Sequence, residues 1–146
     1  MRWSPNAING TTLIDDINLN YVFDFLFVSG SSNQVYLSDN GASKIRLWTF
    51  NSSTENGFLQ TVNSSTTIII NQRGLVYDPY GNLYVADTPN NRIVMFCGNS
   101  TVGIVVAKYS SGVPTVYGPT SVAFDSNLNL YVANMYSDNV VRFSRL

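Results

Sequence analysis

Apolar residues in this chain recur at strand spacing. In Leu83-Tyr84-Val85-Ala86, alternation puts Leu83 and Val85 on one face and Tyr84 and Ala86 on the other, so both faces are apolar. Leu130-Tyr131-Val132-Ala133 repeats the pattern. An antiparallel sheet with one wet face alternates apolar with polar, so strands like these need cover on both sides. No window carries the 3.6-residue period of an amphipathic helix, and Gly, Pro, Asn and Asp punctuate the short apolar runs. The pattern predicts inner strands near 24–28, 75–78 and 121–125, second strands at 35–38, 83–87 and 130–134, and third strands at 45–50, 92–96 and 140–144. Fourth strands are expected near 11–14, 66–70 and 103–107, with 58–62 as the alternative for the middle one.

These strands belong to a repeat. Val35-Tyr36-Leu37-Ser38-Asp39, Leu83-Tyr84-Val85-Ala86-Asp87 and Leu130-Tyr131-Val132-Ala133-Asn134 align without gaps, their tyrosines 48 and 47 residues apart. The register continues through Lys44, Arg92 and Asn139, each followed by Ile45, Ile93 or Val140, and then through Trp48, Phe96 and Phe143. Asp78 and Asp125 lie six residues before their tyrosines, where the first copy has Gly30. Trp3 precedes Trp48 by 45 residues and reads as a trace of an earlier copy. The expected organisation is that trace in 1–20, then repeats over 21–70, 71–118 and 119–146. Small sheets stacked face to face satisfy two apolar faces per strand, which makes the fold class all-β: a β-propeller of four-stranded antiparallel blades, about three of them.

The second copy, Gly74-Leu75-Val76-Tyr77-Asp78-Pro79-Tyr80-Gly81-Asn82-Leu83-Tyr84-Val85-Ala86-Asp87-Thr88-Pro89-Asn90-Asn91-Arg92-Ile93, resembles an NHL repeat almost throughout. The third is similar but has Asn134 where the pattern has Asp and Asn139 where it has Arg, and its Leu130 to Asn134 stretch is also similar to YVTN-type propeller repeats. The first keeps Asp39, Lys44 and Ile45. The resemblance implies a propeller serving as a rigid interaction platform; it is specific for fold and silent on activity. Gluconolactonase-like and amidating-lyase-like propellers, which resemble this fold, use metal ions in a central channel. Histidine ligands of the lyase type cannot exist here, and a calcium site would fall to Asp24, Asp78 and Asp125.

Composition narrows the function classes. The 146 residues are 45% hydrophobic and only 12% charged, and they carry a net charge of −1. With two lysines, Lys44 and Lys108, no basic stripe is available for a phosphate backbone, so nucleic acid is not an expected partner. The absence of histidine removes Ser-His-Asp triads and histidine-bound zinc. Cys97 has no internal disulfide partner. The longest apolar stretch, from Tyr21 to Val28, is broken by Asp24 and falls short of the roughly 18 residues of a membrane helix, and no signal peptide is visible.

Candidate sites follow from the repeat. Asp39 with Lys44 and Asp87 with Arg92 bracket the turn between second and third strands, where a carboxylate accepts turn N–H groups and meets the cation. In the third copy both charges are lost together, as Asn134 and Asn139, which suggests that the two positions touch. These pairs are read as structural. Asp125-Ser126-Asn127-Leu128-Asn129 opens like a calcium loop but lacks the required glycine, and a plain turn is favoured. Sequons begin at Asn9, Asn51, Asn63 and Asn99. With the middle fourth strand at 66–70, all four fall between third and fourth strands on one face, which suggests an extracellular setting and leaves the opposite face free. Tyr21, Tyr109, Tyr117 and Tyr136 lie on that free face as candidate contact residues. The expectation is a non-catalytic platform for a protein or glycan ligand, with no cofactor; the alternative is a calcium-assisted lactonase or esterase of the gluconolactonase-like type. Either two chains close a six-bladed ring or further blades belong to a longer chain.

Overall fold

The computed structural model describes residues 12–14, 17–50, 60–61, 69–98 and 100–145. Among them are eleven strands in three antiparallel sheets, and no helix long and apolar enough to cross a membrane. The first sheet runs in the order β1 (Val22–Phe27), β2 (Gln34–Asp39), β3 (Lys44–Thr49) and β4 (Gln60–Thr61). The second runs β5 (Leu75–Tyr77), β6 (Leu83–Asp87), β7 (Arg92–Phe96) and β8 (Gly103–Lys108). The third holds β9 (Pro119–Phe124), β10 (Leu130–Asn134) and β11 (Asn139–Phe143), with β10 central. Register repeats with the sequence: Asp39 sits opposite Lys44, Asp87 opposite Arg92 and Asn134 opposite Asn139.

Two expected fourth strands are corrected. The middle one is β4, inside the alternative span 58–62. Ile69 and Ile70 of the preferred span lie in the connection that follows, where Ile69 inserts as a single, fully buried residue. Residues 12–14 form no strand, and Ile14 instead packs on Val35, Leu37 and Trp48.

Blade 2 is sandwiched, which is why both faces of β6 are apolar. Leu75, Leu83, Val85 and Phe96 meet Ile45 of blade 1, whereas Ala86 and Ile93 meet Val122, Leu130 and Val132 of blade 3. Each such buried aliphatic side chain stabilises the stack by about 1.5–3 kcal/mol. An edge-to-face aromatic pair recurs at the same place in both interfaces: Tyr36 with Tyr77 at 6.0 Å and Tyr84 with Phe124 at 4.8 Å between ring centroids. Polar staples recur as well. Asn40 donates to the Gln72 carbonyl at 3.0 Å, and Thr88, 48 residues later, donates to the Pro119 carbonyl at 2.6 Å. Gly74 donates to the Thr120 carbonyl at 3.0 Å, an approach so close that a Cβ there would stand 2.7 Å from the Ser121 Cα.

Candidate functional site

The end of each second strand carries a clamp. Asp87 is fully buried; its Oδ1 accepts the Ile70 N–H at 3.1 Å, its Oδ2 accepts Arg92 Nε at 2.7 Å, and the Asn90 amide reaches both oxygens at 3.0 Å. In blade 1, Asp39 accepts the N–H groups of Asn20 and Ala42, at 3.0 and 3.3 Å. Its cation is Arg46 and not the expected Lys44. Arg46 lies two residues further along β3, hence on the same face. Its planar guanidinium serves Asp39 through Nε and the Asn18 carbonyl through Nη2 at 2.9 Å, a fork that an ammonium does not offer. In blade 3 the pair is neutral: Asn134 Nδ2 donates to Asn139 Oδ1 at 3.0 Å and to the Thr115 carbonyl at 2.9 Å, while its Oδ1 accepts the Tyr117 N–H at 2.9 Å. The joint loss of charge thus joins two residues in direct contact. In every blade the clamped N–H, that of Asn20, Ile70 or Tyr117, belongs to the connection entering the blade, and the next residue, Tyr21, Asn71 or Gly118, has φ of 56°, 43° or 62°.

In blade 3 this clamp builds a surface of aromatic rings. The Tyr117 ring lies 5.3 Å from that of Tyr109, tilted by 48°, and 5.3 Å from that of Tyr136, edge-to-face at 69°, and the three are 40%, 49% and 51% exposed. They come from three separate segments: the residue after β8, the connection into β9 and the turn after β10. Asn91 ties these together, its carbonyl accepting the Tyr109 N–H at 2.8 Å and its Oδ1 accepting the Gly118 N–H at 2.7 Å. Gly118 lies directly beneath Tyr136, where a Cβ would meet the ring at 2.5 Å. Gly118 and Asn91 were not singled out from sequence; the glycine at a left-handed position before Pro119 was the available signal. Tyr21 stands apart, 82% exposed, with no ring contact among the described residues.

The expected channel carboxylates are committed elsewhere. Asp78 Oδ1 accepts the N–H groups of Tyr80 and Asn82 at 2.9 Å, and its Oδ2 accepts the Asn82 amide at 2.7 Å and the Tyr84 hydroxyl at 3.2 Å. Asp125 repeats all four contacts with Asn127, Asn129 and Tyr131. The Asn129 bonds, foremost its side-chain amide, hold the Asp125 carboxyl below the usual carboxylate range, while burial, with the Asp78 carboxylate next, pushes the Tyr84 phenol up to about 12. Asp24 Oδ2 accepts the Leu75 N–H at 2.9 Å, across the blade 1 to blade 2 contact. These carboxylates cap turns or join strands and do not converge on a common point; among the described residues no three His, Cys, Asp or Glu side chains form a metal-ligand group. Crevices of about 260 and 250 Å³ separate the blades near these turns; Cys97 lines the second, between blades 1 and 2.

The sequons also need correction. With β4 at Gln60–Thr61, Asn63 follows the fourth strand in chain order, so the four do not all precede one. Asn9, Asn51, Asn63 and Asn99 themselves lie outside the described residues.

The three stacked sheets with repeated clamps define a partial β-propeller. No family model and no curated protein matches the chain. Solved structures do match. A luciferin-regenerating enzyme aligns with TM-score 0.63 at 20% identity, covering 88% of this chain and 46% of that one. A streptogramin B lyase aligns with TM-score 0.57 at 16% identity, covering 82% and 36%. A catalytically inactive virginiamycin B lyase from Staphylococcus aureus with quinupristin aligns with TM-score 0.56 at 16% identity, covering 85% and 41%. The chain spans less than half the length of the solved structures it matches. These findings correct the expectation that the chain is not an enzyme: named enzymes share its fold, so the fold gives no ground for excluding catalysis, and the lack of histidine removes only routes that need one.

Proposed function

We propose that this chain forms part of a propeller with NHL-type repeats that binds a glycan on the face carrying the β6–β7 and β10–β11 turns. The observation that carries this reading is the Tyr109, Tyr117 and Tyr136 ladder, three half-exposed rings 5.3 Å apart and held from beneath by Asn91, Asn134 and Gly118. An aromatic face carries partial negative charge and offers apolar area at small entropic cost. The C–H face of a pyranose ring complements it, and the phenol hydroxyls supply donors and acceptors for sugar hydroxyls. Support for ligand binding as such also comes from one protein of similar fold whose structure includes quinupristin. The reading concerns where a ligand sits and is compatible with chemistry on that ligand.

Titration with a panel of neutral oligosaccharides, followed by the chemical shifts of tyrosine ring protons, tests it. Saturable shifts confined to Tyr109, Tyr117 and Tyr136, weakened at least tenfold by Tyr117→Ala with unchanged thermal stability, are the expected result. Saturable binding to a sugar of the panel that Tyr117→Ala and Tyr136→Ala leave intact would refute the assignment, as would an absence of shifts across the panel.

A further inference from the structure

Blade 2 has a neighbour on either side within the chain, and the connection into its inner strand carries a cation, Arg73. Arg73 is half-buried, and its backbone N–H donates to the Ala86 carbonyl at 3.0 Å. The next residue, Gly74, is tied to blade 3 through the Thr120 carbonyl, so the Arg73 side chain starts from a fixed point. Its guanidinium carbon stands 4.7 Å from the centre of the Phe23 ring of β1, within the range of a cation–π contact. Nη1 donates to Met135 Sδ, in the β10–β11 turn, at 3.5 Å. Three blades thus meet at one guanidinium.

These contacts leave its hydrogen-bonding capacity open. A guanidinium carries several N–H donors, and a thioether is a weak acceptor. Among the described residues no carboxylate and no carbonyl accepts from the Arg73 guanidinium. Asp24, next to Phe23, is committed to the N–H groups of Phe25 and Leu75, both at 2.9 Å. Asp39 and Asp87 are fully buried in their clamps, and Asp138, in the β10–β11 turn, is the exposed acidic residue among the described turns and connections of this face. The guanidinium also adjoins the ladder. The Met135 N–H donates to the Gly118 carbonyl at 2.8 Å and the Tyr136 N–H to the Tyr117 carbonyl at 3.3 Å, so the residue that Arg73 touches is fixed to the connection bearing the central ring. Phe23, Arg73, Met135, Tyr136, Tyr117 and Tyr109 form an unbroken band, and its five apolar and aromatic members are all 40–52% exposed.

We propose that Arg73 is the anion-binding end of this band, and that the glycan taken by the tyrosines carries an acidic group, a carboxylate or a sulfate, which pairs with it. The inference rests on the glycan reading of the ladder and adds the charge of the ligand. Either acidic group accepts two parallel N–H bonds from a guanidinium, a geometry that a single sugar hydroxyl does not match. Phe23 and Met135 already hold the guanidinium in place, so little side-chain freedom is lost when the anion binds.

The test compares uronate-bearing and sulfated oligosaccharides, each beside its neutral parent of the same linkage, by calorimetric titration at low salt. At least one acidic member is expected to bind about tenfold more tightly than its parent, the increment of a charge-assisted pair, and the two arms show which acidic group is taken. Arg73→Gln is expected to bring that member to the affinity of its parent; unchanged binding of the parent itself, with its tyrosine ring shifts, reports that the variant is folded. Lys108→Gln removes the same charge from the exposed end of β8 in the same blade and is expected to change the preference by no more than about twofold. Equal affinities in every acidic and neutral pair, a preference that survives Arg73→Gln, or an equal loss with Lys108→Gln would each overturn the proposal, while binding of the neutral parents keeps the ladder standing. No binding by any member would overturn both.

Discussion

The clamp at Asp87 offers a test of the fold's electrostatics with its own internal control, because blade 3 has already exchanged both charged partners for amides. Asp87→Asn keeps the shape but leaves Arg92 Nε facing a neutral group, and one amide hydrogen bond to Asn90 is lost. Removing one partner of a buried pair costs about 3–5 kcal/mol when the other charge is stranded. Arg92 keeps 23% of its side chain in water, so part of that cost is relieved and about 2–3 kcal/mol is expected for Asp87→Asn. Arg92→Asn leaves a fully buried carboxylate without its cation, though still with the Ile70 N–H and the Asn90 amide, and about 2 kcal/mol is expected. Together the two substitutions recreate the Asn134–Asn139 pair, in which the first amide donates to the oxygen of the second at 3.0 Å. The double variant is therefore expected to lose less than the sum of the singles, with a coupling of about 1–2 kcal/mol. Urea unfolding of the four proteins, monitored by far-ultraviolet circular dichroism, measures the cycle. Additivity within about 0.3 kcal/mol would refute the reasoning.

Two further outcomes are expected. Gly74→Ala forces a methyl to within 2.7 Å of the Ser121 Cα and 2.9 Å of the Thr120 carbonyl oxygen, both backbone atoms, and thermal unfolding is expected to register a loss of about 1–3 kcal/mol. Asp125 has a carboxyl held below its ordinary value of 3.8, so its contribution is complete above that pH and is lost as pH falls through the lower folded-state value; Asp125→Asn is expected to flatten the acid side of a plot of Tm against pH, and an unchanged acid limb would refute this.

The sequence carried the strands because their signal is local. Alternation in Leu83 to Asp87 and its two copies fixes the second strands, and the turn residues after them fix the third. The same logic failed at Ile69 and Ile70, whose apolar run reads as a strand although only Ile69 is wanted by the core, as a plug beneath the clamp. It failed at Arg46, because nothing local says which of two cations on one face of β3 meets Asp39. The ladder was legible only as four loop tyrosines. Contact among three of them depends on connections from two blades meeting at Asn91 and Gly118, and that is a property of the stack. Catalysis was judged from the absence of histidine, a criterion that excludes particular chemistries and not the fold's capacity for others.

The exchange of Asp for Asn in the third clamp has a physical reason that links it to the ladder. In blade 2 every atom meeting the Asp87 carboxylate is a donor: a backbone N–H, an amide and a guanidinium. In blade 3 the Thr115 carbonyl and the Asn139 Oδ1 both point at the clamp residue, and both are acceptors. A carboxylate at position 134 would face two oxygens, and the connection that carries Tyr117 would lose its anchor at Thr115. Asn134 supplies one acceptor for the Tyr117 N–H and two donors for those oxygens, so a single amide group satisfies all three. What reads in the sequence as a degenerate third repeat is therefore the hydrogen-bond inventory that holds the central ring of the ladder in place.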